Sequence, residues 1–210
     1  MSIWNAVRQL ASPASWRDLA RLVRNHRWEQ DDTGDILIAH ARVAGVVEYG
    51  QPGQCHVVHN SWTTEGLGWV LQCAVAGSSP SAAVYIAPFG NNVIPSPSWK
   101  AGGTGAGFKT VAGELSTQYQ ETNRLEFLEG AVTPDGVTAT MSNAASKAEM
   151  TAAAATTIYG IGVLTAATKL AESAFPAQAL LSAARFTAPE VLSAAGATLG
   201  IGYTFKLTPE

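Results

Sequence analysis

Two cysteines and four histidines are the soft and imidazole groups of the 210-residue chain. Three of them crowd into Cys55-His56-Val57-Val58-His59, with His40 and Cys73 as further candidates. Such a set has the ligand types for zinc. On a strand, however, Cys55 and His59 share one face while His56 points to the other. No Cys-x-x-Cys or His-x-x-x-His pair is present. The stretch reads as a buried Cys55 beside hydrogen-bonded histidines, and no metal or cofactor is expected. A Cys–His nucleophile is no better supported, because neither cysteine sits in a recognisable turn or helix start that would lower its pKa.

Gly102-Gly103-Thr104-Gly105-Ala106-Gly107 lacks the Gly-Lys-Ser/Thr ending and the strand–helix frame of a phosphate loop. It reads as a flexible contact loop. Glu114, Glu121, Glu126 and Glu129 could furnish the carboxylate pair of a glycosidase, but nothing in their spacing brings two together. Trp62, Trp69 and Trp99 are potential stacking platforms for a glycan, although their apolar neighbours suit packing. No enzymatic activity is expected.

The elements that must position these groups are mostly strands. The C-terminal third, residues 138–207, reads as a ladder of short strands. In its last segment Leu199, Ile201, Tyr203, Phe205 and Leu207 fall on one face. Thr198, Gly200, Gly202, Thr204 and Lys206 fall on the other, the period-two pattern of a strand with one buried face. The two glycines leave room for a neighbouring sheet or subunit. Thr157-Ile158-Tyr159-Gly160-Ile161-Gly162-Val163-Leu164 is a second strand, and the run from Ala179 to Phe186, closed by Pro189, a third.

Upstream, residues 36–49 read as strand with a possible bulge at Gly45, and Cys55 to His59 as its hairpin partner. Ser61 or Thr63 caps a short helix to Cys73 that turns Leu67, Val70 and Leu71 inward. Residues 82–87, a stretch around Leu125 and Phe127, and the segments 138–142 and 147–151 are further strands. The expected core includes Ile158, Ile161, Val163, Leu181, Phe186, Leu199, Ile201, Tyr203 and Phe205. The fold class expected is mainly β: an antiparallel β-sandwich or jelly-roll-like domain over residues 35–210, with an N-terminal helical arm over 1–34.

The arm is capped by Ser15 and striped by Leu19, Leu22 and Val23. Trp16, Arg17, Arg21, Arg24 and Arg27 make it a docking tether for carboxylates on a partner protein. Residues 29–35 form a polar turn and hinge. The long passage 88–113 is rich in Gly, Pro, Asn and Ser, which suits a contact loop. Its apolar members Phe89, Val93, Ile94, Trp99 and Phe108 either pack down or meet a partner.

Charged residues make up only 14% of the chain and the net charge is -3. That argues for a folded protein whose surface is completed by neighbours, so a homo-oligomer is expected. Nothing accompanies the basic arm that would read a nucleic-acid sequence. No secretory leader is expected from the opening residues. The uncharged run 150–168 is interrupted by threonines and Tyr-Gly-Ile-Gly, which suits a strand better than a membrane helix.

Several stretches, in order, resemble small uncharacterised structural-region proteins of tailed bacteriophages. They are His59-Asn60 with Glu65-Gly66-Leu67, Val84-Tyr85-Ile86-Ala87-Pro88-Phe89-Gly90-Asn91, and Glu121-Thr122-Asn123-Arg124. Ser142-Asn143-Ala144-Ala145-Ser146-Lys147-Ala148, Thr156-Thr157-Ile158-Tyr159-Gly160 and Leu181-Ser182-Ala183-Ala184-Arg185-Phe186 follow. The resemblance implies a virion protein of the head, neck or tail, without catalytic residues, bound to other virion proteins. The arm before Ile36 and the loop 95–113 depart from the family pattern and read as specific contact regions. The expected station is the neck or tail, with capsid decoration as the alternative and a glycan-binding module for host attachment as a rival of another class.

Overall fold

The structure is a computed structural model that describes residues 29–30, 36–37, 41–74, 83–103, 105, 107–134 and 138–209. The expected helical arm, with Trp16, Arg17, Arg21, Arg24 and Arg27, lies outside the described residues, as does His40. Two units are present, of which Val43–Lys206 is the larger. In the other, β1 (Glu29–Gln30) pairs antiparallel with β2 (Ile36–Leu37). Glu29 and Gln30 are therefore strand, not the start of the expected polar turn.

The strands that build the larger unit begin with β3 (Ala41–Gly50), β4 (His56–His59) and β5 (Ser61–Trp62), followed by the helix α1 (Thr64–Ala74). Then come β6 (Val84–Phe89), β7 (Leu125–Phe127), β8 (Thr133–Pro134) and β9 (Ala139–Ser142). β10 (Ala148–Thr151), β11 (Thr156–Leu164), β12 (Leu180–Leu192) and β13 (Thr198–Pro209) complete it. They form two antiparallel sheets, the β-sandwich that the strand periodicities predict. One sheet runs β4-β3-β13-β9-β8, with β10 also on β13, and the other runs β5-β12-β11-β6-β7.

The main core lies between the sheets. Val47 and Tyr49 of β3, Met150 of β10 and Leu199, Ile201 and Tyr203 of β13 meet Ile86, Phe127, Ile158, Ile161, Leu181 and Phe186 of the facing sheet. The Tyr49 and Phe186 rings stack with centroids 3.7 Å apart and planes 7° from parallel. Every residue of the expected core is buried except Phe205, which is half-buried against Trp62, Phe127 and Tyr203. The hydrophobic face of β13 ends there, since Leu207 is exposed. On the opposite face, Gly202 takes the aliphatic stem of Lys147, whose Nζ reaches Glu48 at 3.5 Å.

Two polar ties cross this apolar interior. The Tyr203 hydroxyl lies 2.7 Å from Ser182 Oγ on the facing sheet and accepts from Asn60 Nδ2, at the crossover from β4 to β5. Asn143, between β9 and β10, is the second. Its Oδ1 accepts the Tyr203 N–H at 2.6 Å, and its own N–H donates to the Tyr203 carbonyl at 3.2 Å. A side chain thus stands in for a ladder bond where the chain passes between two strands that share one neighbour.

Two local expectations are corrected. Pro189 does not end its strand: Ile158 pairs with Glu190 and Gly160 with Arg185, so residues 186–189 bulge from the ladder and β12 resumes to Leu192. A proline needs no ladder hydrogen bond in a bulge. Just after Gly45, Val46 to Tyr49 pair in unbroken register with His59 to His56. Leu67 and Leu71 of α1 face solvent, not the core. The cause is Gly66. A Cβ there would lie 2.6 Å from Leu181 Cα and closer still to its carbonyl oxygen, so helix backbone sits directly on β12. That contact turns the line of Gly66, Trp69, Val70 and Cys73 toward the sheet and Leu67 and Leu71 away. Thr63 fixes the helix start, accepting the Gly66 N–H at 2.9 Å as its N-cap.

Two predictions follow from these contacts. Gly66→Ala will lose about 1–3 kcal/mol of stability in urea unfolding through overpacking, where the same change in an uncrowded helix gains about 0.5–1 kcal/mol. The Tyr203 prediction concerns pH. Burial raises its phenol pKa well above the ordinary value, against the opposing hydrogen bonds from Ser182 and Asn60. Because the unfolded chain releases this proton first, the stability it contributes is whole below about pH 10 and is lost as pH rises beyond that. The urea midpoint will fall above about pH 10, and Tyr203→Phe, weaker at neutral pH, will lose less of its midpoint over the same interval.

Candidate functional site

The candidate metal and nucleophile groups are dispersed. Cys55 is exposed before β4, and Cys73 is a free thiol at the end of α1. His56 and His59 are exposed, His56 with Nε2 3.8 Å from Glu190. Among the described residues no three His, Cys, Asp or Glu side chains come within range of one ion.

The acids divide into structural and surface groups. Glu114 and Arg124 form an ion pair with both side chains 0% exposed. Arg124 Nε donates to Oε1 at 2.7 Å and Nη2 to Oε2 at 2.8 Å, while Nη1 donates to the Ala166 carbonyl at 2.8 Å. Both Glu114 oxygens are thus engaged by one buried guanidinium, which makes the pair a fastener between the end of the long loop and the segment that carries Arg124. Glu121 Oε1 accepts the Thr151 N–H at 3.0 Å, while Glu126 and Glu129 are exposed.

Around the pair lies a small titratable cluster. Lys169 Nζ sits 3.5 Å above the Tyr119 ring and donates to the carbonyls of Ser116 and Tyr119. Desolvation lowers the Lys169 pKa, against the pull of Glu121 and Glu114. Burial raises that of Tyr119, helped by Glu114 and opposed by Arg124. These groups brace the segment 114–124 against the chain that follows β11.

The four loop residues expected to meet a partner separate cleanly. Phe89, Trp99 and Phe108 are buried, with mutually edge-on rings 6.1–6.4 Å apart. They form a second core with Ala87, Ala101, Ala112, Leu164, Leu180 and Ala183, on the outer face of the five-stranded sheet. Gly162 on that face makes the room, since a Cβ there would lie 2.5 Å from the Phe108 ring. For these three the packing alternative holds, and they have no surface left for a partner. Ile94 does: it is 77% exposed.

Of the three tryptophans considered as glycan platforms, Trp99 is buried, and Trp62 and Trp69 pack partly buried against the main core. Sequence reasoning missed Glu65. Its Oε2 accepts the N–H groups of Ala101 at 2.7 Å and Leu180 at 2.8 Å, joining α1 to the long loop and to β12. The only sign in the sequence was an acid two places after a helix cap. It also missed the exposed set Val57, Leu128, Val132 and Val191, of which Val191 lies beyond the irregularity in β12. No family model, no curated protein and no solved structure matches the chain.

Removing one member of the buried pair tests its role. Arg124→Ala will cost about 3–5 kcal/mol in denaturant unfolding by stranding the Glu114 charge. Arg124→Lys will recover only part of that, because an ammonium cannot span both carboxylate oxygens.

Proposed function

We propose that this protein is a non-enzymatic structural component of a tailed-phage particle, present in several copies and docked near the head–tail junction or tail. The observation that carries the reading is a contrast in how the domain uses its side chains. The most deeply buried of the candidate acids, Glu114, is committed to an internal tie. Meanwhile Val57, Ile94, Leu128, Val132 and Val191 remain exposed on a domain of few charges. Apolar side chains left out of a well-filled core suit burial by neighbouring subunits. The basic segment with Arg17, Arg21, Arg24 and Arg27 supplies the tether, since guanidinium forks pair with carboxylates on a partner.

Quantitative mass spectrometry of purified particles, with tail-less heads alongside, tests the assignment. The protein should be found in whole particles at tens of copies or fewer, the order expected of a closed ring, and be depleted from heads. Its absence from particles would overturn the reading, and an abundance matching the capsid lattice would move it to the head surface. Deleting residues 1–28 should leave the circular dichroism of the β domain intact and abolish incorporation.

A further inference from the structure

We propose that the cleft beside the first turns of α1 binds a neutral saccharide. The cleft has a volume of about 680 Å³ and is lined in part by Thr64, Glu65, Gly68, Ser98, Lys100 and Phe175. That is within the range of small-molecule sites, about 300–1,000 Å³. The inference does not rest on the particle assignment.

Gly68 is the first reason to regard the cleft as built. A glycine inside a helix is unfavourable unless something requires it. Gly66 is required, because β12 backbone occupies the space of its side chain. Gly68 is not: a Cβ there would meet only Phe175 Cζ, at an unstrained 3.7 Å. No positive φ demands a glycine either. What the missing side chain does is keep the floor of the cleft open.

The walls are held from behind. The Thr64 N–H donates to the Pro97 carbonyl at 2.9 Å, and the Phe108 N–H to the Lys100 carbonyl at 2.7 Å. Gly102 lies so close under Glu172 and Ser173 that a Cβ would be 2.6 Å from the Ser173 oxygen. The two loops that form the rim therefore touch backbone to backbone.

The lining selects the ligand. Both backbone donors to Glu65 fall on Oε2, which leaves Oε1 of a fixed carboxylate as an acceptor for ligand hydroxyls. Thr64 and Ser98 are exposed hydroxyls, Lys100 is an exposed ammonium, and Phe175 is a half-buried ring. One carboxylate and one ammonium cancel, so neither an anion nor a cation is favoured. An aromatic surface beside donors and acceptors of both kinds matches a sugar ring, apolar on its C–H face and polar at its rim.

The test is saturation-transfer NMR on the full chain with glucose, galactose, rhamnose, N-acetylglucosamine and their disaccharides at millimolar concentration. Inorganic phosphate serves as the anionic control. We expect at least one sugar to bind, and binding to weaken about tenfold or more in Gly68→Leu, whose side chain fills the floor. Circular dichroism should show that variant folded. Lys100→Ala, which alters an exposed side chain only, should weaken the same sugar and provides the test if Gly68→Leu fails to fold. Binding of no sugar, sugar binding unchanged in a folded variant, or phosphate bound in preference to every sugar would overturn the proposal.

Discussion

The Glu114–Arg124 ion pair is buried where the long loop ends, and the loop is what the five-stranded sheet cannot do without. β11 and β6 are apolar on both faces, and the second sheet covers only one of them. Trp99 and Phe108 of the loop cover the other, packed on Phe89 at the end of β6, so the loop must be held down although little regular structure holds it. Arg124 does this with side chain and backbone together: its guanidinium spans Glu114 and reaches Ala166, and its N–H donates to the Ala167 carbonyl at 2.8 Å. A buried pair of charges is not a cheap source of stability compared with apolar packing. Its value lies in direction, because only one placement of the loop satisfies every donor and acceptor.

The same economy recurs across the molecule. Tyr203 with Ser182 joins the sheets, Asn143 completes a ladder, and Glu65 joins helix, loop and strand. Each is one polar side chain that reaches backbone or side-chain groups distant in the sequence. Polar groups used in this way specify an arrangement and leave little chemistry on offer. What the described residues present outward includes scattered apolar side chains and the open cleft beside α1.

The sequence made the strands of the C-terminal third legible because alternation reports directly which face is apolar, as Leu199, Ile201 and Tyr203 show. It also offered Ser61 or Thr63 as the helix cap, and Thr63 is the one that accepts the Gly66 N–H. Alternation does not report what covers a face. Phe89, Trp99 and Phe108 looked like contact residues because they sit in a Gly- and Pro-rich passage, and only the two-sided burial of β11 explains where they go. The inward face assigned to α1 failed for a related reason: periodicity pointed to the large residues, whereas Gly66 set the contact by being small. Glu114 with Arg124, and Glu65 with Ala101 and Leu180, depend on chain segments that meet only in the folded domain. Neither spacing nor residue type betrays them.

The strand order also sets a timetable for synthesis. Asn60 and Tyr203, which share a hydrogen bond, are 143 residues apart. β3 pairs at once with β4 but finds its other neighbour only in β13, and β5 finds its own only in β12. The first half of the sandwich thus leaves the ribosome with strand edges that stay open until nearly the whole chain has been made. Contacts of such separation are slow to form, and unpaired edges are open to the wrong neighbour meanwhile. The vulnerable interval in synthesis is the one before the last strand arrives.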